Sequence, residues 1–298
     1  MISKILNFLN RHQRKSLASR EKNRLLEERK LFMDSGQIPW SKGYHEYKRE
    51  FIKENITNNS SLDYFRNGKL PKGYGYRLDE RSVEYPWIFS MLKKGKYSML
   101  DAGSTFNFEY IVNHQTIVEK DLIIFTFAPE QKSFNEKKIS YVYGDLREMP
   151  FNDCIFDVVV SQSTIEHIDM DNSMYGYDIP HNENNQVKSY EYQRAISEMI
   201  RVLKKGGTLL LTFPFGKFEN HGFFQQFDEE MLQRILNSFD GLGTHTTTFF
   251  KYEKDGWTNA NKEEVLHSES YNPHTGKGKK DDMAAHSRSI ACVKFNKV

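Results

Sequence analysis

The chain has 298 residues and a formal net charge of +2, which allows one sizeable α/β domain with extensions or two small domains. It contains only two cysteines, Cys154 and Cys292, so a disulfide framework is excluded and a reducing cytoplasm is expected. No apolar run is long enough to cross a bilayer. The N-terminal apolar stretch is short and precedes its basic residues, the reverse of the order in a secretory signal.

Residues 1–34 predict a basic, amphipathic helical arm. Residues 1–30 hold nine Lys or Arg and three Glu, so the rest of the chain carries a net charge of about −4. Apolar side chains recur at helical spacing: Ile2, Ile5, Leu6 and Leu9. Three roles stay open, and with them the oligomeric state: packing on the domain, oligomerisation, or peripheral membrane contact through residues 1–15. The basic cluster lies far from the motifs and lacks interleaved aromatic residues, so nucleic acid is not an expected partner.

Residues 35–82 have a mixed pattern with frequent turn signals and are expected to form a cap or linker. From residue 83 to 298 short apolar runs alternate with helical patterns, which predicts a doubly wound, mainly parallel α/β sheet of Rossmann-like type. The clearest helices are Ser189–Leu203 and Asp228–Phe239, and Val83–Lys94 is expected to lead into the sheet as a helix. The predicted strands are Tyr97–Asp101, Leu122–Phe127, Ile139–Tyr143, Phe156–Ser161, Thr208–Phe213, His245–Phe250 and Ile290–Phe295.

The first chemical motif, YSMLDAGSTFNFEY, spans residues 97–110. A strand ends in Asp101, a turn follows at Gly103, and a helix is expected to begin near Asn107. In open α/β sheets the ligand lies beyond the carboxyl ends of the strands, and a glycine there lets the backbone approach it. A single glycine after a strand more often marks only a turn, so this motif alone does not establish a ligand site.

Three further motifs follow. ISYVYGDLREMPFNDCIFDVVVS (139–161) places Asp145 at the end of a strand, where its carboxylate either accepts a hydrogen bond from an amine such as that of adenine or caps the next turn. SQSTIEHIDMDN (161–172) carries Glu166 and His167 after the fourth strand. EMIRVLKKGGTLLLTFPFG (198–216) reads as a helix, a Gly-Gly break and a strand.

In this order, the four segments resemble the class I S-adenosylmethionine-dependent methyltransferases, especially the type 11 group, over roughly residues 97–240. That group reads LDxGxGxG, GDAxxLPFxDxSFDxVxSxxxLEHV and ExxRVLKPGGxLLLTxP, where this chain has LDAGSTFN, GDLREMPFNDCIFDVVVSQSTIEHI and EMIRVLKKGGTLLLTFP. The blocks DERSVEYPW and LDAGSTFNFEY also resemble bacterial polysaccharide-locus methyltransferases. The resemblance implies a seven-stranded sheet with an antiparallel last strand, S-adenosylmethionine as cofactor, and O-methylation of a sugar, glycan or other small molecule.

The resemblance also implies which residues hold the cofactor: Asp101, Gly103 and Ser104 at the methionine, Asp145 and Leu146 at the adenine, and Ser161 and Gln162 at the sulfonium. Glu166 and His167 would border the acceptor site as the catalytic residues.

The family pattern fails at three positions. Thr105 and Asn107 replace the second and third glycines, and Thr126 replaces the acidic residue that holds the ribose hydroxyls. Glu130 is the candidate substitute, with Thr126 holding a single hydroxyl. The alternative is a catalytically degenerate methyltransferase fold that acts as a binding protein in a surface-polysaccharide pathway.

For a hydroxyl acceptor, His167 is the best-placed general base, and the competing interpretation is that it only orients a loop through a backbone carbonyl. Residues 169–188 are expected to form a lid over the acceptor site. Asp169 and Asp171 within them are interpreted as solvated loop residues, so no metal is expected. Four residues after the fifth strand are expected to face the acceptor: Asn220, His221, Phe223 and Phe224.

Overall fold

The computed structural model describes residues 19–177, 179–184 and 186–298. Residues 19–34 form a helix, α1, which agrees with the predicted N-terminal helical extension. Residues 1–18, and with them the predicted apolar stripe and its membrane contact, lie outside the described residues. Three more helices precede the sheet: α2 (Tyr44–Thr57), α3 (Asn59–Arg66) and α4 (Arg81–Met91).

Eight strands form the main sheet, and seven of them overlap the predicted ones. They are β1 (Ser98–Ala102), β2 (Asp121–Thr126), β3 (Ser140–Tyr143), β4 (Phe156–Gln162), β5 (Leu203–Pro214), β8 (Gly243–Glu253), β9 (Gly256–Ala260) and β10 (Ser289–Lys297). Two short strands, β6 (Glu219–Asn220) and β7 (Gln225–Gln226), pair separately.

The order of the strands is β3-β2-β1-β4-β5-β10-β8-β9. Strands β1 to β5 run parallel to one another, whereas β10 is antiparallel to both β5 and β8. The predicted doubly wound, mainly parallel sheet is therefore confirmed, with one strand more than the seven expected. The addition is β9, which returns along the edge of β8 and whose sequence GWTNA is too short and polar to give a strand pattern.

The helices between strands are α5 (Glu109–Val112), α6 (Gln115–Val118), α7 (Tyr192–Val202), α8 (Glu229–Asn237) and α9 (Lys262–Val265). Helices α7 and α8 lie within the two predicted ranges. The Asp228 side chain caps α8 as predicted, because it accepts a hydrogen bond from the amide of Met231 at 3.1 Å. Of the helices in the described ranges, none has the length and apolar character needed to cross a membrane.

The sheet is covered on both faces. Along β5, Leu209 and Leu211 belong to one buried cluster and Leu210 to the other, as the two-residue period of a strand requires. The cluster around Leu210 also contains Ile52 of α2 and Phe65 of α3. Segment 35–82 therefore supplies part of the core, while its boundaries as a separate region stay a prediction.

Candidate active site

A cavity of about 360 Å³ lies at the carboxyl ends of β1, β2, β3 and β4, where open α/β sheets bind their ligands. Six of the predicted site residues line it: Gly103, Thr126, Glu130, Asp145, Leu146 and His167. The other five do not: Asp101, Ser104, Ser161, Gln162 and Glu166. The cavity thus lies where the sequence motifs predict it, but five of the predicted side chains are packed behind the residues that line it.

Asp101 is fully buried and supports the loop after β1. Its Oδ1 accepts hydrogen bonds from the amide and the hydroxyl of Thr105 at 3.2 and 3.1 Å, and its Oδ2 accepts one from the amide of Phe106 at 2.7 Å. Its carboxylate therefore holds the loop rather than reaching into the cavity. Burial raises the pKa of Asp101 to about 7, although these donors oppose the shift.

The turn at Gly103 needs a residue without a side chain. Its φ is +127°, and an added Cβ would lie 2.2 Å from Oγ1 of Thr164. The next residue, Ser104, also has a positive φ of 61°, and its buried hydroxyl has no hydrogen-bond partner among the described residues. The loop after β1 is therefore pressed against the residues that follow β4.

Asn107 joins the loops that follow β1 and β2. Its Nδ2 donates to Oε2 of Glu130 at 2.7 Å and to the carbonyl of Lys132 at 2.9 Å, and its Oδ1 accepts from the hydroxyl of Tyr141 at 2.8 Å. This departure from the family's glycine therefore fixes Glu130 beside Thr126 in the cavity wall.

Asp145 lies in the cavity wall and is paired with Arg147. Nη2 of Arg147 donates to Oδ2 of Asp145 at 2.7 Å, and the amide of Arg147 donates to Oδ1 at 2.8 Å. Partial burial raises the pKa of Asp145, but the hydrogen bonds from Arg147 outweigh this effect and the net pKa is lowered. Asp145 is therefore ionised at neutral pH, and its contacts with Arg147 match the turn-capping interpretation, while its role toward adenine stays a prediction.

After β4, the first side chain that lines the cavity belongs to Ser163, one residue later than the predicted Ser161 and Gln162. Ser161 and Gln162 are fully buried, and Nε2 of Gln162 points to Oε2 of Glu84 in α4 at 3.4 Å. Ser163, with a positive φ of 39°, and Thr164 line the cavity instead. Because successive side chains of a strand point to opposite faces, Ser161 and Gln162 point into the packed layers on the two sides of the sheet.

The two predicted catalytic residues have different settings. Glu166 is buried, its Oε2 has no partner among the described residues, and burial raises its pKa well above the usual range. His167 lines the cavity, and its Nδ1 lies 2.7 Å from the carbonyl oxygen of Phe223. Burial lowers the pKa of His167 to about 4. His167 is therefore the one of the two placed to meet an acceptor.

Part of the predicted lid closes one side of the cavity. Tyr175 and Tyr177 line it, and the Tyr177 ring packs on Phe127 after β2 with 5.5 Å between ring centroids. Asp169 accepts a hydrogen bond from the hydroxyl of Ser189 at 2.6 Å, and Asp171 accepts one from the amide of Ser173 at 2.9 Å. Within the described ranges, no group of three or more His, Cys, Asp or Glu side chains is arranged to bind a metal.

Two of the four residues expected to face the acceptor, Phe223 and Phe224, pack near His167 instead. Their ring centroids lie 5.8 and 6.4 Å from the centroid of its imidazole. None of the four is in the cavity wall. The sequence reasoning also missed Arg81, the first residue of α4, which does line the cavity. The available signal was the pair of charged residues, Arg81 and Glu84, in the first turn of a mainly apolar helix within the block DERSVEYPW.

Residues 115–211, about a third of the chain, match the family model described as a methyltransferase domain. With the sheet order and the cavity, this match confirms the predicted enzyme class and its cofactor. The chain therefore contains the methyltransferase domain of an S-adenosylmethionine-dependent enzyme.

No curated protein sequence matches this methyltransferase. Among solved structures, it is similar to the N-methyltransferase NodS from Bradyrhizobium japonicum in complex with S-adenosyl-L-homocysteine, at 10% identity and a TM-score of 0.39 over 84% of this chain and 98% of that one. It is also similar to 1,6-didemethyltoxoflavin-N1-methyltransferase from Burkholderia thailandensis, at 11% identity and a TM-score of 0.39 over 68% of this chain and 72% of that one.

The donors and acceptors in the cavity wall of the methyltransferase fit S-adenosylmethionine. The carboxylate of Asp145 suits the adenine amine, and Thr126 and Glu130 suit the ribose hydroxyls. Oε1 of Glu130 has no hydrogen-bond partner within the described part of the chain, so it is free to accept from a hydroxyl.

Proposed function

We propose that the methyltransferase acts on a hydroxyl group of a sugar or glycan unit, with His167 as general base. The observation that carries this proposal is the 2.7 Å contact between Nδ1 of His167 and the carbonyl oxygen of Phe223. A carbonyl only accepts hydrogen bonds, so the proton of the neutral ring is on Nδ1. Nε2 then carries a lone pair and has no hydrogen-bond partner among the described residues.

A hydroxyl acceptor needs such a base. S-adenosylmethionine supplies an electrophilic methyl group on its sulfonium when bound. A hydroxyl oxygen becomes a strong nucleophile only as it loses its proton, and Nε2 of His167 is suited to take that proton. Burial lowers the pKa of His167 to about 4, so the ring is neutral at pH 7 and its Nε2 is unprotonated, although the same shift makes it a weaker base than a free imidazole.

The walls beside His167 support a ring-shaped polar acceptor. Tyr175 and Tyr177 offer flat apolar faces, and Asn172 and Asp169 offer polar groups in the same wall. A sugar presents both kinds of surface. The resemblance of DERSVEYPW to polysaccharide-locus proteins points in the same direction, and a cytoplasmic location would suit both this role and the free cysteines Cys154 and Cys292.

The test is transfer of labelled methyl groups to a panel of neutral sugars, uronic acids, amines and phenols. Methyl ethers survive alkali, whereas methyl esters release methanol, so the product reports the methylated atom. His167→Asn keeps a donor for the Phe223 carbonyl but removes the base, and it should lower turnover by about 10²–10⁴-fold. The affinity for S-adenosylhomocysteine should change by less than about twofold, because the imidazole acts on the acceptor.

His245→Asn, a change at an exposed position of β8, is the matched control and should behave as wild type. Alkali-labile or N-methylated product would contradict hydroxyl methylation. Unchanged turnover in His167→Asn would leave His167 with only the role of orienting its loop. If neither S-adenosylmethionine nor S-adenosylhomocysteine binds at millimolar concentration, the assignment of methyltransferase activity is contradicted.

A further inference from the structure

Arg81 presents an unused hydrogen-bonding edge to the cavity. Its Nη1 donates to Oε2 of Glu84 at 2.9 Å and to the carbonyl of Gln162 at 3.4 Å. Its Nε and Nη2 have no hydrogen-bond partner within the described ranges, and the side chain is 26% exposed in the cavity wall. The Nε–Nη2 edge of a guanidinium is a planar fork that matches the two oxygens of a carboxylate.

Glu84 holds this guanidinium in place. Its side chain is fully buried, and its Oε1 accepts from the hydroxyls of Ser163 at 2.5 Å and Thr212 at 2.6 Å. Its other oxygen receives Nη1 of Arg81. The carboxylate of Glu84 is therefore anchored at the ends of β4 and β5, so the orientation of Arg81 is set before any ligand arrives.

Apart from Glu84, the neighbouring carboxyl groups make no hydrogen bond to Arg81 among the described residues. Oε1 of Glu80 is paired with Nδ1 of His286 at 3.1 Å. Burial raises the pKa of Glu166 well above its usual range and so favours its neutral form. The Nε–Nη2 edge of Arg81 therefore faces the cavity without a hydrogen-bond partner among the described residues, while its Nη1 is paired with Glu84.

Arg81 lies at the end of the cavity away from Asp145. Its contact with the Gln162 carbonyl places it at the end of β4, and the hydroxyl of Tyr85, one turn further along α4, donates to the carbonyl of Thr105 after β1. If Asp145 receives the adenine, the amino-acid part of S-adenosylmethionine extends toward Arg81. A carboxylate on the acceptor is the other source of the same chemistry.

We propose that Arg81 is a carboxylate-binding residue of this cavity, positioned by Glu84, and that the carboxylate it binds is the amino-acid end of S-adenosylmethionine. This inference rests on the cofactor and is independent of the proposed hydroxyl acceptor.

Calorimetry with two ligands tests it. S-adenosylhomocysteine carries the carboxylate, whereas 5′-methylthioadenosine shares the adenine and ribose but lacks the amino acid. Arg81→Gln should weaken binding of S-adenosylhomocysteine about tenfold or more, because charge-assisted bidentate hydrogen bonds are lost. Binding of methylthioadenosine should stay within about twofold. Arg81→Lys should give an intermediate loss, since it keeps the charge without the fork.

Glu84→Gln tests the positioning role and should reproduce the selective loss of S-adenosylhomocysteine affinity in weaker form. Arg234→Gln, at a half-exposed position of α8, is the matched control. Equal losses for both ligands in Arg81→Gln, with a lowered melting temperature, would mean that Arg81 only supports the fold and would overturn the proposal. Wild-type protein that binds neither ligand would contradict the cofactor assignment and this inference with it.

A second experiment distinguishes the two possible sources of the carboxylate, the cofactor and the acceptor. If Arg81→Gln leaves both affinities unchanged, the S-adenosylhomocysteine-saturated protein is titrated with glucuronate and with glucose. Binding of glucuronate by wild type but not by Arg81→Gln would support a carboxylate site for the acceptor and overturn the cofactor as its source. Absence of glucuronate binding would overturn the carboxylate site altogether.

Discussion

At the residue scale, Asp101 controls the loop that follows β1 without entering the cavity. Its carboxylate accepts three hydrogen bonds from Thr105 and Phe106. Burial raises its pKa to about 7, against the effect of these donors. A buried group that supports the site therefore changes its charge near neutral pH.

This pKa predicts how stability depends on pH. Between about pH 4 and pH 7 the folded protein keeps a proton on Asp101 that the unfolded chain has released, so this group makes stability fall by about 1.4 kcal/mol per pH unit as pH rises. Asp101→Asn removes that contribution while keeping an acceptor for Thr105. Urea unfolding near pH 4.5, 5.5 and 6.5 should show the wild type losing stability relative to the variant as pH rises. Parallel curves would mean that Asp101 is already ionised at the lowest pH.

The sequence located the ends of the strands but not which side chain faces the ligand there. His167 and Asp145 line the cavity as predicted. Ser161 and Gln162 do not, because Ser163 turns the chain with a positive φ of 39°, and a shift of one residue along a strand exchanges its two faces. Turn angles of this kind depend on tertiary contacts such as the hydrogen bond from Ser163 to Glu84, which no local pattern encodes.

At the scale of elements, the site depends on how neighbouring loops are tied together. The loops after β1 and β2 are joined by the hydrogen bond from Asn107 to Glu130 at 2.7 Å. In the sequence, Asn107 is a departure from the family's glycine pattern. In the structure its side chain instead holds the carboxylate that replaces the missing acidic residue of β2.

Restoring the family's glycine should therefore weaken the site. Asn107→Gly frees the Glu130 loop and should raise the dissociation constant of S-adenosylhomocysteine about threefold to tenfold, an effect of the size of one ordinary net hydrogen bond. Methylthioadenosine keeps the ribose and should be weakened equally, in contrast to its insensitivity to Arg81→Gln. Calorimetry with both ligands measures the two effects. Tighter binding of either ligand by Asn107→Gly would show that Asn107 obstructs the cofactor.

Helix α4 contains functional residues that its predicted helical pattern does not reveal. The sequence predicts a helix over Val83–Lys94, and the observed α4, Arg81–Met91, agrees with it. Its function lies in Arg81 and Glu84, which are three residues apart and therefore neighbours on one helix face. The residues that complete their network, Ser163 and Thr212, lie about 80 and 130 positions later. Only the packed fold brings these residues together.

At the scale of the whole molecule, the region read as a cap or linker is built into the core. The Phe65 ring of α3 contacts Phe250 of β8 and Tyr74, each with 5.6 Å between ring centroids. Trp257 of β9 donates from Nε1 to the carbonyl of Leu78 at 2.9 Å. These contacts join segment 35–82 to the far edge of the sheet, and the same segment leads into Arg81 and the cavity.

The chain should therefore unfold as one unit. Phe65→Ala removes a buried ring and should lower the free energy of unfolding by about 3–5 kcal/mol. Phe108→Ala, at a position that is 50% exposed, is the matched control and should change it by less than about 0.5 kcal/mol. The three tryptophans report on the region before the sheet (Trp40), on α4 (Trp87) and on the edge of the sheet (Trp257). Tryptophan fluorescence, far-UV circular dichroism and loss of S-adenosylhomocysteine binding should therefore all follow a single transition, and Phe65→Ala should shift all three together. A separate early transition, with ligand binding intact after it, would show that the segment folds apart from the catalytic core and would restore its interpretation as a linker.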